Sequence, residues 1–249
     1  MQYGICNLSI VPVRNQPADA SEMVTQILYG EYFKILEERG KWSRIRIAFD
    51  SYEGWIDNIQ YIKIEESLYS NLSSEPRKYS ADLIEFLTDD LGNLTSIPLG
   101  SLLNSNNLLK NSFDGSAISG TKEKVDLVKT ALLYLNSPYM WGGKTPFGID
   151  CSGLTQMVYM LNGYSLLRDA AQQATQGEAL SFIEESEPGD LAFFDSSEGK
   201  ITHVGIIMQD NYIIHVNGKV RIDRIDHSGI FNIDSKRHTH QLRVIKKIV

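Results

Sequence analysis

Residues 137–154 read Ser137-Pro138-Tyr139-Met140-Trp141-Gly142-Gly143-Lys144-Thr145-Pro146-Phe147-Gly148-Ile149-Asp150-Cys151-Ser152-Gly153-Leu154. Cys151 is one of two cysteines in the 249 residues. It follows a Gly-rich, aromatic approach and opens a stretch with Leu154, Met157, Val158 and Leu161 at helical spacing. The first N–H groups of a helix have no intrahelical partner and carry partial positive charge, so a thiol placed there is stabilised as thiolate. An inert buried cysteine is the ordinary alternative. The polar flanks Asp150 and Ser152, and three glycines that permit close backbone approach (Gly142, Gly143, Gly153), do not suit it. Gly163 stands where a helix C-terminal cap belongs.

A cysteine nucleophile needs a base. Of five histidines, His203 precedes the apolar run Val204-Gly205-Ile206-Ile207, and His215 follows Tyr212-Ile213-Ile214. Both fall in strands that read as central, and adjacent strands bring side chains about 5 Å apart. A base whose second ring nitrogen is held by another polar side chain has its tautomer and orientation fixed. His203 is assigned as base and His215 as the group that orients it; spacing alone also allows the reverse. His227, His238 and His240 lie in polar segments and are read as surface residues.

Working outward, residues 1–65 contain short alternating runs, Leu8–Val13, Tyr32–Leu36, Trp42–Ile47 and Tyr52–Ile56, separated by turns, which predicts a small all-β barrel. Residues 66–117 are a linker or a second, reduced β module, with a short apolar helix candidate at 80–88 and a possible strand over Pro98–Leu103. From 118 the pattern changes. Val125, Val128, Leu132 and Leu135 predict an amphipathic helix over 122–136, and a third helix is expected from Asp169 to Ala179. Strands follow at Leu191–Phe194, His203–Met208, Tyr212–Val216, Val220–Ile225 and Leu242–Val249. Helices followed by an antiparallel sheet make an α+β domain over 118–249.

Composition excludes several functions. With 31 acidic against 24 basic residues and net charge −7, nucleic-acid binding is not expected. The basic cluster Arg243–Lys247 alternates with Val244 and Ile245, as the solvated face of a last strand does. Cys6 lies in an apolar run and reads as a buried hydrophobe. No CxxC pair or Cys/His spacing suggests a metal, and neither metal nor cofactor is expected. No segment approaches the ~20 apolar residues of a membrane span. The N-terminus lacks the features of an export signal, so a cytoplasmic monomer is expected, or a periplasmic or extracellular protein if a signal was removed.

Four motifs occur in order: Tyr139-Met140-Trp141-Gly142-Gly143, Asp150-Cys151-Ser152-Gly153-Leu154, Pro188-Gly189-Asp190-Leu191-Ala192-Phe193-Phe194 and His203-Val204-Gly205-Ile206. Together they resemble the NlpC family of papain-like cell-wall cysteine peptidases. That resemblance implies a Cys151-His203-His215 triad, with Tyr139 close to the nucleophile. The first quarter, with its Gly54-Trp55-Ile56 strand, resembles bacterial SH3-like domains. The combination resembles γ-D-glutamyl-L-diamino acid endopeptidases that recycle murein peptides. It implies cleavage of the γ-D-Glu–diamino acid bond in peptides with a free N-terminal L-Ala. Substrate contacts are implied at Tyr139, Asp150, Ser152 and Asp169, and from the SH3-like part at Glu22 and Tyr52. Where the subgroup often has Ser after the Asp, this chain has Ala170. The alternative is an exported peptidoglycan hydrolase whose SH3-like part anchors it to the wall.

Overall fold

The strict alternation Trp42-Ser43-Arg44-Ile45-Arg46-Ile47 becomes a strand with Ile45 and Ile47 turned inward and Arg44 and Arg46 exposed. It is β5 of a seven-stranded antiparallel sheet. The others are β1 (Gln2–Ile5), β2 (Ile10–Arg14), β3 (Met23–Leu28), β4 (Tyr32–Arg39), β6 (Glu53–Asp57) and β7 (Ile62–Ile64). Their order is β3-β2-β6-β5-β4-β1-β7. Val11, Ile27, Phe33, Ile45, Ile56 and Tyr61, from strands and turns across that order, form one buried cluster, so the sheet must curl around it. Cys6 is a fully buried member of this cluster, as its apolar neighbours predicted.

The computed structural model describes residues 1–249, which divide into two units, Met1–Gly120 and Thr121–Val249. Residues 66–117 hold α1 (Glu66–Ser74) and five short strands: β8 (Lys78–Ser80), β9 (Ile84–Asp89), β10 (Leu94–Pro98), β11 (Asn111–Phe113) and β12 (Ala117–Ser119). The helix expected at 80–88 is therefore replaced by parts of two strands. Leu87 is buried with Tyr29, Ile97 and Leu103 in a second small core, whereas Ile84 and Phe86 are about half exposed. Because Tyr29 follows β3, this core ties the segment to the first sheet. The strand expected over 98–103 lies earlier, at 94–98, and Gly100 turns the chain with φ 87°.

In the second unit, α2 covers Val125–Leu132 rather than 122–136. Its buried face is Leu127, Thr130 and Ala131, continued by Tyr134, while Val125, Leu132 and Leu135 are exposed. The sequence carried two apolar phases, and the one with the small Ala131 and the large Tyr134 is the one that packs. Next come β13 (Lys144–Thr145), β14 (Gly148–Ile149), α3 (Cys151–Leu161), α4 (Ala170–Gln173) and β15 (Glu178–Leu180). The helix expected over 169–179 is thus a single turn; Gly177, at φ 69°, breaks it, and its missing Cβ would sit 2.4 Å from the Lys247 carbonyl. The remaining strands are β16 (Leu191–Asp195), β17 (Ile201–Ile207), β18 (Tyr212–Asn217), β19 (Lys219–Asp226), β20 (Gly229–Asn232) and β21 (Arg237–Lys247). They run in the order β15-β21-β16-β17-β18-β19-β20, and β21 also pairs with β20, so the sheet closes on itself.

Rather than one apolar face, α3 buries every residue from Ser152 to Leu161. Its polar members find partners inside: Thr155 Oγ1 donates to Gln173 Oε1 at 2.7 Å and Gln156 Nε2 to the Leu166 carbonyl at 3.1 Å. Gly163 ends the helix at φ 85°, with Gly163 N–H bonded to Met160 O and Tyr164 N–H to Tyr159 O, as its position predicted. At the other end Asp150 is the N-cap and accepts from Gly153 N–H at 2.6 Å. Its carboxylate also takes both arms of Arg168, Nη1 to Oδ1 at 3.0 Å and Nη2 to Oδ2 at 2.7 Å, and Gly142 N–H at 2.8 Å. Arg168 is only 1% exposed. An exposed pair of good geometry such as Arg46–Glu53 contributes about 0–1 kcal/mol, whereas breaking a buried pair costs about 3–5 kcal/mol. The Asp150–Arg168 clamp therefore decides where α3 begins.

Arg168→Ala should lower the urea midpoint of the second unit by an amount equivalent to about 3–5 kcal/mol, while Arg46→Ala should change the midpoint of the first unit little. Gly205→Ala should also destabilise, by about 1–3 kcal/mol, because a Cβ there would lie 2.7 Å from Ile213 Cδ1 and 2.9 Å from His215 Cβ. Urea titration followed by tryptophan fluorescence and circular dichroism measures both.

Candidate active site

Cys151 is the first residue of α3 and is partly exposed. Gly153 lets this helix start close in: a Cβ there would be 2.3 Å from the Gly143 carbonyl. The Cys151 sulfur accepts from the backbone N–H groups of Val204, on β17, and of Ser152. The thiol is thus set against the β17 backbone, one residue after His203. Burial pushes the Cys151 thiol up to about 12, with the Asp150 carboxylate acting in the same direction; the two N–H groups and Arg168 oppose them only in part.

The imidazoles are placed by register. Gly205 on β17 pairs with His215 on β18, and Ile213 pairs with Asp223 on β19. Side chains two residues apart share a face, so His203, His215 and Asp223 lie as diagonal neighbours on one face of three consecutive strands. Gly205, opposite His215, leaves the space in which the two rings meet. His203 Nε2 is 2.9 Å from His215 Nδ1, and His215 Nε2 is 3.0 Å from Asp223 Oδ2. All three residues are buried. Burial, with the neighbouring His215 and His240, holds His203 well below the usual imidazole range. Burial also lowers His215, against the pull of Asp223. For Asp223 burial acts upward, but hydrogen bonds from His215, Arg221 and the Ile233 N–H outweigh it and keep the carboxyl well below its ordinary value.

His240 corrects the surface reading. It is half-buried on β21 and stacks on His203, with ring centroids 4.2 Å apart and planes at 23°. Burial brings it down to about 4. It was hidden because Thr239-His240-Gln241 looks wholly polar, although alternate residues of a closing strand face inward. His227 and His238 are exposed as expected, His238 paired with Asp226 at 2.9 Å. Asp223 was missed as well. The available signal was parity: Lys219-Val220-Arg221-Ile222-Asp223 puts Asp223 on one face of a strand next to that of His215, but the register was not legible. Ring nitrogens of His203, His215 and His240 lie within 4.8 Å of one another. The His203–His215 hydrogen bond occupies one nitrogen of each ring, and near-parallel stacking keeps the in-plane lone pairs of His203 and His240 from converging on one ion.

Of the residues implied to touch substrate, Tyr139 is 44% exposed. Its N–H bonds the Gly218 carbonyl of the β18–β19 turn, and its phenol is raised by burial and by the charges of Cys151 and Asp150. Asp150 and Ser152 are buried; the Ser152 hydroxyl accepts from Arg168 at 2.9 Å and donates to Asp150. Asp169 is the half-buried N-cap of α4, its N–H bonded to Gln172 Oε1. The structure thus brings Tyr139, Asp150 and Ser152 together around Cys151. Glu22 and Tyr52 lie in the first unit, Glu22 exposed before β3 and Tyr52 packed against the barrel core before β6.

Residues 136–239 match the model of the NlpC/P60 family, and residues 13–59 that of the bacterial dipeptidyl-peptidase Sh3 domain. A gamma-D-glutamyl-L-lysine dipeptidyl-peptidase of Bacillus subtilis (strain 168) is 30% identical over 213 residues, which is 77% of this chain and 71% of that protein. Dipeptidyl-peptidase 6 of Lysinibacillus sphaericus is 27% identical over 85% of this chain and 87% of its own. Among solved structures, an NlpC/P60 family protein from Bacillus cereus ATCC 10987 superposes with a TM-score of 0.80, covering 99% of both chains at 19% identity, a likeness of fold. The papain-like α+β unit preceded by an SH3-like barrel therefore has its counterpart in known proteins, and the chain belongs to the NlpC/P60 family of cysteine-type peptidases.

Proposed function

We propose that this peptidase cleaves the amide between γ-D-Glu and a diamino acid in murein peptides with a free N-terminal L-Ala, and so serves cell-wall peptide recycling. The observation that supports the chemistry is the junction of α3 with β17, where the Cys151 sulfur takes the Val204 N–H while His203, the preceding residue of that strand, is hydrogen-bonded to His215. The specificity is supported by relatives named for γ-D-glutamyl-L-lysine cleavage that match across both units.

At rest both partners are neutral, since burial raises the thiol and lowers the imidazole. Cys151 loses its proton to His203 as it attacks the γ-carbonyl carbon. The tetrahedral oxyanion is received by backbone N–H groups at the start of α3, that of Cys151 included, which carry the positive end of the helix dipole. His203 then gives its proton to the departing amine, and water releases L-Ala-γ-D-Glu from the thioester. His215 holds the His203 ring throughout. Tyr139 lines the approach. Asp150, Ser152 and Asp169 supply the polar surface for the peptide's amine end, and an ammonium at Asp150 shares that carboxylate with Arg168. A buried ammonium needs such carboxylates, so a chain-embedded or acetylated peptide is disfavoured. Glu22 and Tyr52 enter the proposal through the resemblance alone.

L-Ala-γ-D-Glu-L-Lys and its diaminopimelate analogue, each with free and acetylated N-termini, test the specificity by mass spectrometry of products. Release of L-Ala-γ-D-Glu is expected, with kcat/KM about 10- to 100-fold lower after acetylation. Cleavage of intact sacculi without preference for the free amine would replace this reading with that of a wall hydrolase. Cys151→Ala should reduce turnover at least about 10³-fold. A histidine that charges only well below 6.5 keeps its base form to lower pH, so activity should fall in acid on a limb lying below pH 6.5. Alkylation of Cys151 by iodoacetamide should be slow at neutral pH and show no inflection near the free-thiol pKa of about 8.5.

A further inference from the structure

Behind the two histidines stands a carboxylate to which neither the sequence motifs nor the proposed triad gives a task. Asp223 is fully buried and receives five donors. His215 Nε2 lies at 3.0 Å, Arg221 Nε at 2.7 Å and Asn232 Nδ2 at 3.2 Å from Oδ2. Arg221 Nη2 at 2.9 Å and the Ile233 N–H at 3.1 Å reach Oδ1. Arg221 is itself braced by Asp234 at 2.9 Å.

An ionised carboxylate can only accept. His215 Nε2 must therefore carry a proton. A neutral imidazole has one N–H, which leaves His215 Nδ1 bare. The atom facing it is His203 Nε2, which must then be the donor, and that leaves His203 Nδ1 bare. We propose that Asp223 is a positioning residue of the catalytic machinery: acting through His215, it fixes the tautomer of His203 so that Nδ1 is the nitrogen that accepts the Cys151 proton. The inference rests on the triad reading above and adds an atom-level assignment to it.

The proton balance is simple. The thiol proton moves from Cys151 Sγ to His203 Nδ1 as the carbon–sulfur bond forms, and returns from Nδ1 to the leaving amine as the carbon–nitrogen bond breaks. No proton needs to reach Asp223, which the Arg221 fork and the Ile233 N–H hold as a carboxylate. Its charge steadies the transient imidazolium across two hydrogen bonds. Because every partner of Asp223 is a donor, an amide in its place must turn an NH₂ toward at least one of them. Where that NH₂ meets His215 Nε2, the order of donors and acceptors reverses along the whole row. The His203 proton then sits on Nδ1, where the base must be empty.

The full chain labelled with ¹⁵N-histidine reports the tautomers directly, through the long-range ¹H–¹⁵N correlations of each ring at neutral pH. His203 and His215 are expected as Nε2–H tautomers. D223N is expected to shift intensity toward Nδ1–H in both rings and to lower kcat on L-Ala-γ-D-Glu-L-Lys by about 10²-fold, with KM changed by less than about 3-fold. A purely structural Asp223 would move the unfolding midpoint without moving the tautomers. Wild-type His203 protonated on Nδ1 overturns the proposal, as does a D223N protein with unaltered tautomers and kcat. If D223N does not fold, the wild-type spectrum decides alone. Full turnover by Cys151→Ala would instead remove the triad reading and leave the tautomer result standing.

Discussion

The buried ion pair between Asp150 and Arg168 fixes the N-terminus of α3, and the position of Cys151 depends on where that terminus lies. A thiol on a loop has more freedom than one at the first position of a clamped helix. The pair works because it is fully partnered. The two guanidinium arms, the helix-start N–H of Gly153 and the N–H of Gly142 together surround one carboxylate. The same clamp draws the Gly142-Gly143 turn against α3, so the approach segment and the nucleophile move as one piece. Gly153 is the steric condition for this, since any side chain there would collide with the Gly143 carbonyl.

On the sheet side the constraint is register. His203, His215 and Asp223 are not neighbours in sequence, yet antiparallel pairing sets them on one face at diagonal positions, and the missing side chain of Gly205 lets the first two touch. The resulting row differs from a strong ion-pair site. Arg221 offsets part of the charge of Asp223, and burial outweighs the remaining pull of that carboxylate on His215, so both imidazoles are held below the usual imidazole range. The same burial leaves the proton of Cys151 on its sulfur.

The sequence was most legible where chemistry and local geometry coincide. Asp150-Cys151-Ser152-Gly153 declared a helix start, and Gly163 declared the helix end. Strands with clean alternation, such as Trp42–Ile47, were equally plain. Legibility failed where a long-range partner decides the outcome. Residues 80–88 offered a short apolar helix, and what overrides it is the pairing of β9 with β10 and β11, which is invisible in one strand. α2 offered two apolar stripes, and only packing chose the one with Leu127, Ala131 and Tyr134. His240 read as a surface residue, and Asp223 drew no notice, because the strand faces that bury them are set by register. The buried polar interior of α3 was misread as one-sided for the same reason: Thr155 and Gln156 are satisfied by residues beyond their own helix.

The closure of the second sheet by β21 has an implication for the order of events during synthesis. β21 pairs with β15, β16 and β20, joining segments as distant as Glu178 and Lys247, and carries the ring that stacks on His203. Cys151 leaves the ribosome long before this strand does. Contacts of such separation form late because loop closure must precede them. A nascent chain therefore holds its thiol while the barrel that houses the imidazoles is still open at one seam. The row of rings around His203 is complete only when the last strand closes that seam.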